Sequence, residues 1–188
     1  MAARKSMLER SSMLLVAPLL LLASQSWAKT SDISPSAFLA SFHEEVDATP
    51  EQSWQALVRV AGWWSAAHTY SGDAANLTLD ARAGGCWCER WGANSVQHAR
   101  VLVAMPGKLL RLEGALGPFQ ALGATGILTF TLLPHGSGTS LDVTYRVRAT
   151  PDAAMDKLAP AVDQVLGEQV RRLAGSLVKQ DGEKPSLK

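Results

Sequence analysis

A chain of 188 residues with a formal net charge of +1 is long enough for one domain with a sizeable core. Its near-neutral balance offers no electrostatic footprint for nucleic acid or an anionic membrane surface. With only two cysteines, Cys86 and Cys88, it is not a disulfide-built scaffold, and apolar packing must hold it together.

The N-terminus carries Arg4, Lys5 and Arg10, then the apolar run Met13–Ala23, then Ser26-Trp27-Ala28, a small-x-small pattern. This is the layout of a secretory signal peptide spanning residues 1–28 with cleavage after Ala28. The apolar run is too short to span a bilayer as a stable helix. The expectation is a secreted or periplasmic protein with no stable membrane insertion after cleavage; the alternative is an uncleaved anchor. Removal of this segment takes the net charge from +1 to about −1. Residues 29–38 mix Ser, Thr, Asp and Pro and read as a short leader, residues 39–179 as the folded domain, and residues 180–188 as a flexible polar tail.

Within the domain, Phe42–Ala48 alternates as a first strand. Thr49 is placed to cap a helix, with Pro50 at its first position and Gln52 completing a capping box. Trp54, Leu57, Val58 and Ala61 then share a face, and Trp63–His68 reads as a second short helix. From Asn76 the period changes to two, giving a meander of about six strands separated by Gly84-Gly85, Gly92-Ala93-Asn94, Pro106-Gly107, Gly117-Pro118 and His135–Gly138. In the last strand Leu141, Val143, Tyr145 and Val147 share one face, the pattern of a sheet with one wet and one covered side. Helix restarts at Thr150-Pro151-Asp152, and Pro160 is expected to restart or kink it. In Pro160–Lys179, Val162, Leu166, Val170, Leu173 and Leu177 fall on one face of a long amphipathic helix.

That order of elements has few compact solutions. A curved antiparallel sheet must wrap the long C-terminal helix, giving an α+β helix-grip architecture in which one helix does not fill a wide concavity. The pattern Ala48-Thr49-Pro50-Glu51-Gln52-Ser53-Trp54, Trp63-Trp64, Gly84-Gly85, Glu89-x-Trp91, Pro106–Leu112, Gly138-Thr139 and Val162–Leu173 resembles the SRPBCC (START/polyketide cyclase) superfamily, in the branch close to activators of heat-shock chaperone ATPases. The resemblance covers roughly Phe42 to Val178. It implies a helix-grip fold with an apolar ligand cavity under the long helix, but no single chemistry, since such folds host binding proteins, cyclases and cochaperones alike.

Trp87, Glu89 and Trp91 repeat every two residues and share a strand face, so two indoles carry Glu89 inward. A buried carboxylate needs a partner. If Ala93-Asn94 form a two-residue turn, Glu89 faces His98, an acid–imidazole pair able to handle protons. A three-residue turn places Gln97 there instead. The competing reading is a structural hydrogen bond. His68, after the Trp63-Trp64 pair, falls at the expected cavity mouth, where packing or capping is the plainer role. Cys86 and Cys88 point the same way about 6.6–7 Å apart on a regular strand, at or beyond disulfide reach, and read as two reduced, half-buried thiols. With His98 they supply three metal ligands but no fourth, so no metal is expected. Gly167 and Gly175 inside the long helix suggest space for a ligand or close approach of the sheet.

The first functional expectation is a binding module for a small hydrophobic molecule of lipid or polyketide-like character, with no cofactor and no nucleic-acid partner. Leu79, Trp87, Trp91, Leu110, Leu112, Phe130, Leu141, Val143 and Tyr145 would line its pocket, with Trp63, Trp64 and His68 beside it and Glu89 and His98 as polar anchors. The second is a polyketide cyclase or dehydratase using Glu89 and His98 as acid and base. The third is a cochaperone-like interaction module, which export from the cytosol disfavours.

Overall fold

A computed structural model describes residues 27–178. The signal-peptide reading therefore lies outside the described residues apart from Trp27 and Ala28, as does the tail beyond Val178. Eight antiparallel strands form one sheet: β1 (Trp27–Ser34), β2 (Ala37–Val46), β3 (Leu77–Leu79), β4 (Cys86–Trp91), β5 (Asn94–Met105), β6 (Leu109–Glu113), β7 (Thr125–His135) and β8 (Gly138–Arg148). Their spatial order is β1-β2-β8-β7-β6-β5-β4-β3. Among the described residues two α-helices accompany the sheet, α1 (Pro50–Val58) and α2 (Met155–Val178). The sheet curves around α2, the helix-grip arrangement expected from the order of elements.

Residues 29–38 are not an irregular leader. They form most of β1 and the start of β2, with Lys29 paired to Ser41 and Thr30 to Ala40. An edge strand has one neighbour and two partly wet faces, so its polar residues show little period; Thr30 reaches Asp163 of α2 at 2.9 Å. The first expected strand, Phe42–Ala48, is the second half of β2, which begins at Ala37 and alternates in burial along its first half.

α1 begins as the sequence dictates. The Thr49 side chain accepts from the Gln52 N–H, the Gln52 side chain accepts from the Thr49 N–H, and Pro50 stands at the start. Trp63–His68 is not a continuous helix; Trp63–Ser65 is irregular and joins two single 3₁₀ turns, Val60–Gly62 and Ala66–His68. α2 begins five residues before Pro160 and runs through it. Pro160 forfeits only the bond to the Asp156 carbonyl and faces solvent, so an early turn absorbs it without a break. Leu166, Val170, Leu173 and Leu177 are buried as their spacing requires, and Met155 and Ala159 extend the same face.

Glycine matters at two contrasting places. A Cβ on Gly126 of β7 would meet the Tyr145 ring at 2.6 Å and its hydroxyl at 2.7 Å, whereas one on Gly175 of α2 would meet nothing within 4 Å. Gly126→Ala is accordingly expected to lower stability by about 1–3 kcal/mol through overpacking. Gly175→Ala is expected to raise it by up to about 1 kcal/mol through helix propensity. Urea unfolding midpoints of the two variants, moving in opposite directions, check both.

Candidate functional site

The loop after α1 is fastened at both ends by polar side chains of α2 and β4. On the α2 side, Gln169 Oε1 accepts from the Ser65 N–H at 2.7 Å and Arg172 Nε donates to the Trp63 carbonyl at 2.8 Å. On the β4 side, Glu89 accepts from the Tyr70 N–H at 3.0 Å and from the Ser71 N–H. Within the loop, Trp64 Nε1 donates to the His68 carbonyl at 2.9 Å. Buried Gln and Glu thus serve as acceptors for a turn whose backbone has no ladder to join.

Glu89 and His98 do meet, but not by the expected turn. The hairpin closes one residue earlier, with Trp91 opposite Asn94, so Glu89 lies opposite Val96. An extra residue in β5 restores the contact: Trp87 pairs with Ala99 and Cys88 with Gln97, leaving His98 as a bulge. Both His98 and Ala99 consequently point inward, and His98 Nε2 lies 2.9 Å from Glu89 Oε2. Burial alone would push the Glu89 carboxyl up. The Ser71 side chain, the backbone N–H groups of Tyr70 and Ser71, and His98 outweigh it and hold the group below the usual carboxylate value. Burial lowers the His98 pKa, and the neighbouring carboxylate only partly offsets that. The pair is therefore carboxylate with neutral imidazole, the ring proton on Nε2 where the acceptor-only carboxylate requires it.

The cleft lies elsewhere than expected. It has a volume of about 520 Å³ and sits between the first half of α2 and two loops. Leu158, Ala161, Val162, Val165 and Leu166 form the helix wall, and Trp64, His68, Thr69 and Tyr70 the wall held by Glu89. Leu116–Phe119 and the inner end of Tyr145 close it. The Tyr145 hydroxyl donates to the Gly114 carbonyl and accepts from the Leu116 N–H, each at 3.0 Å, which fixes the base of the third wall. Burial raises the Tyr145 pKa well above its ordinary value, so the hydroxyl keeps its proton and its donor role.

Of the pocket residues expected from sequence, Trp64, His68 and Tyr145 lie on this cleft. Trp63, Trp87, Leu110, Leu112, Phe130, Leu141 and Val143 are core residues instead, all 3% exposed or less. Leu79 packs against the core and Trp91 is half-buried, both away from the cleft. The reason is volume. Trp64 packs on Trp87 with ring centroids 4.8 Å apart, and Trp63 on Phe130 at 6.2 Å, so indoles fill the concavity where a void was expected. Glu89 and His98 stand behind the Tyr70 wall. His68 faces Glu168 of α2 at 3.5 Å. Sequence reasoning missed Leu116–Phe119, read only as a chain break, and the helix wall from Leu158 to Leu166. Trp87 Nε1 is buried without a partner among the described residues.

Cys86 and Cys88 are a disulfide, not two thiols. Their Cα atoms are 5.4 Å apart, closer than the regular-strand spacing, because the ladder is irregular between Trp87 and Cys88 opposite the His98 bulge. Gly167 is a close-approach position, where a Cβ would meet the Phe42 ring at 3.4 Å, and Gly175 borders open space.

No family profile matches the chain, and no curated protein does. Solved structures match its fold. A structural-genomics protein from Rhodobacter sphaeroides is 23% identical with a TM-score of 0.54, over 81% of this chain and 99% of that one. One from Rhizobium leguminosarum is 17% identical with a TM-score of 0.55, over 83% and 99%. The solution structure of CalU16 from Micromonospora echinospora is 16% identical with a TM-score of 0.53, over 87% and 79%. These likenesses establish a shared α+β architecture.

Both Glu89 and His98 bind protons more weakly in the fold than in the unfolded chain, so acid favours unfolding through each. The His98 contribution is complete above its ordinary value of 6.5 and fades as pH falls below it. The Glu89 contribution is present above 4.5 and is lost as pH falls through its lowered folded value. Melting temperature is expected to drop progressively on acidification from neutrality. Glu89→Gln is expected to lower stability by about 1.5–3 kcal/mol, the worth of a hydrogen bond to a charged group, and to remove the lower part of that pH dependence. Thermal melts of both proteins across pH check this.

Proposed function

We propose that the protein binds a small, mostly apolar molecule in the cleft between α2 and the Trp64–Tyr70 and Leu116–Phe119 walls. The observation that carries the reading is the cleft itself: about 520 Å³, walled chiefly by aliphatic and aromatic side chains. That is the size and lining of small-molecule sites, roughly 300–1,000 Å³ and apolar with a few convergent polar groups. His68, Thr69 and the Tyr70 hydroxyl supply those groups at its rim. The resemblance to the SRPBCC superfamily, with its apolar ligands under a long helix, supports the same assignment and a lipid or polyketide-like ligand class. Export with loss of the leading apolar segment belongs to this proposal, supported by the basic, apolar and small-x-small order of residues 1–28 and by a disulfide suited to an oxidising compartment.

The cyclase or dehydratase reading with Glu89 and His98 as acid and base is less well supported. Glu89 is fully buried and engaged by two backbone N–H groups and an imidazole. Neither Glu89 nor His98 forms part of the cleft wall, where a general base would have to reach its proton.

Ala161 lines the cleft yet is solvent-exposed, so filling the cleft from there spares the core. Ala161→Trp is expected to weaken binding of anilinonaphthalenesulfonate at least tenfold while leaving the melting temperature within a few degrees. Fluorescence titration of both proteins, with native mass spectrometry of the unmodified chain for a co-purifying mass, makes the test. Unchanged dye affinity in the variant, together with no raised melting temperature on adding dye or lipid extract, would refute the binding role.

A further inference from the structure

The Cys86–Cys88 disulfide is an odd structural staple. Closing a loop with only one residue between its ends removes little freedom from the unfolded chain. The sheet already holds both ends: Cys86 is paired with Arg100, and Cys88 with Gln97 on one side and Thr78 on the other. The Cα atoms stand 5.4 Å apart, against about 6.6 Å in a relaxed strand, because the ladder is irregular opposite the His98 bulge. The neighbouring strands hold this backbone with or without the bond, so opening it breaks no pairing of the sheet.

Its surroundings suit sulfur exchange. Cys86 is the more exposed partner, half-buried against 7% exposure for Cys88. It lies just past the end of β3, whose last pair is Leu79 with Trp87, beside the Gly84-Gly85 loop; there the Asp80 N–H still reaches the Cys86 carbonyl at 3.0 Å, and the side chain is left half-buried. Arg100 stands directly across the ladder from Cys86, and Arg90 follows Cys88 by two residues on the same face, with Glu113 next along the Arg100 row. A guanidinium neighbouring a cysteine favours thiolate over thiol.

We propose that Cys86–Cys88 is a thiol–disulfide exchange site that accepts electrons from cysteine-type thiols of a peptide or small molecule. An incoming thiolate attacks Cys86 Sγ and forms a mixed disulfide. The electron pair of the broken S–S bond leaves on Cys88, which takes up a proton. A second thiolate attacks the incoming sulfur and releases Cys86, which is protonated in turn. Two external thiols lose two electrons and two protons to become a disulfide, and the protein gains both. The site lies on the outer face of the sheet and is independent of the cleft.

The test equilibrates the full chain in glutathione buffers of varied ratio to glutathione disulfide, traps free thiols with maleimide and reads the mass. The native protein is expected to interconvert between disulfide and dithiol within the range those buffers span. Challenged with glutathione disulfide, Cys88→Ser is expected to take up glutathione on Cys86 at least fivefold faster than Cys86→Ser does on Cys88. Arg100→Gln is expected to slow reduction of the native disulfide several-fold, with the circular dichroism spectrum unchanged. A native pair that stays oxidised in millimolar glutathione until the chain unfolds would overturn the proposal, as would thiols that never close. Equal adduct rates in folded cysteine variants would overturn the assignment of Cys86 as the attacked sulfur.

Discussion

A single buried carboxylate sets the geometry of one side of this molecule. Glu89 is fully enclosed, and a charge there is tolerable only because three donors converge on it. Those donors come from two separate stretches: the backbone at Tyr70 and Ser71, and the imidazole of His98. The carboxylate thus ties a loop lacking regular structure to the sheet, and does so with charge-assisted bonds, which are shorter and stronger than neutral ones. Gln169 and Arg172 repeat the device from the helix side with neutral and cationic groups. Between the two fastenings hangs the wall of the cleft.

The tryptophans explain why the cleft is where it is. A strongly curved sheet and one helix leave a gap that must be filled or left open. At the β4 side Trp63, Trp64 and Trp87 fill it, packed edge-to-face or tilted as their quadrupoles favour. At the other end small residues such as Ala161 and Gly117 line the cleft beside the first half of α2, and space remains. Trp64 belongs to both regions, packed on Trp87 and lining the cleft.

The sequence disclosed regular features better than irregular ones. Thr49, Pro50 and Gln52 announced α1 because a cap is a local motif. The α2 face followed from helical spacing, and the final strand from its alternation. Features that depend on a break in regularity stayed hidden. A bulge at His98 brought the ring to Glu89 by a route that no two-fold period can express, and the same irregularity drew Cys86 and Cys88 within bonding reach. β1 was missed because an edge strand has little burial to pattern it. The cleft was missed because the void was sought behind the middle strands, where residue volumes, which periodicity does not weigh, had closed it.

One contact across the opening has a kinetic consequence. The Tyr70 hydroxyl donates to the Gly117 carbonyl at 3.1 Å, joining two loops that have no ladder between them. Tyr70 is also half out in solvent, so water competes for that bond at every moment. Such a clasp adds little to thermodynamic affinity. In the binding role proposed above it would govern residence instead, because a guest leaving past Tyr70 would wait for a brief parting of the loops, and dwell time would then be tuned by one phenolic oxygen without altering the walls.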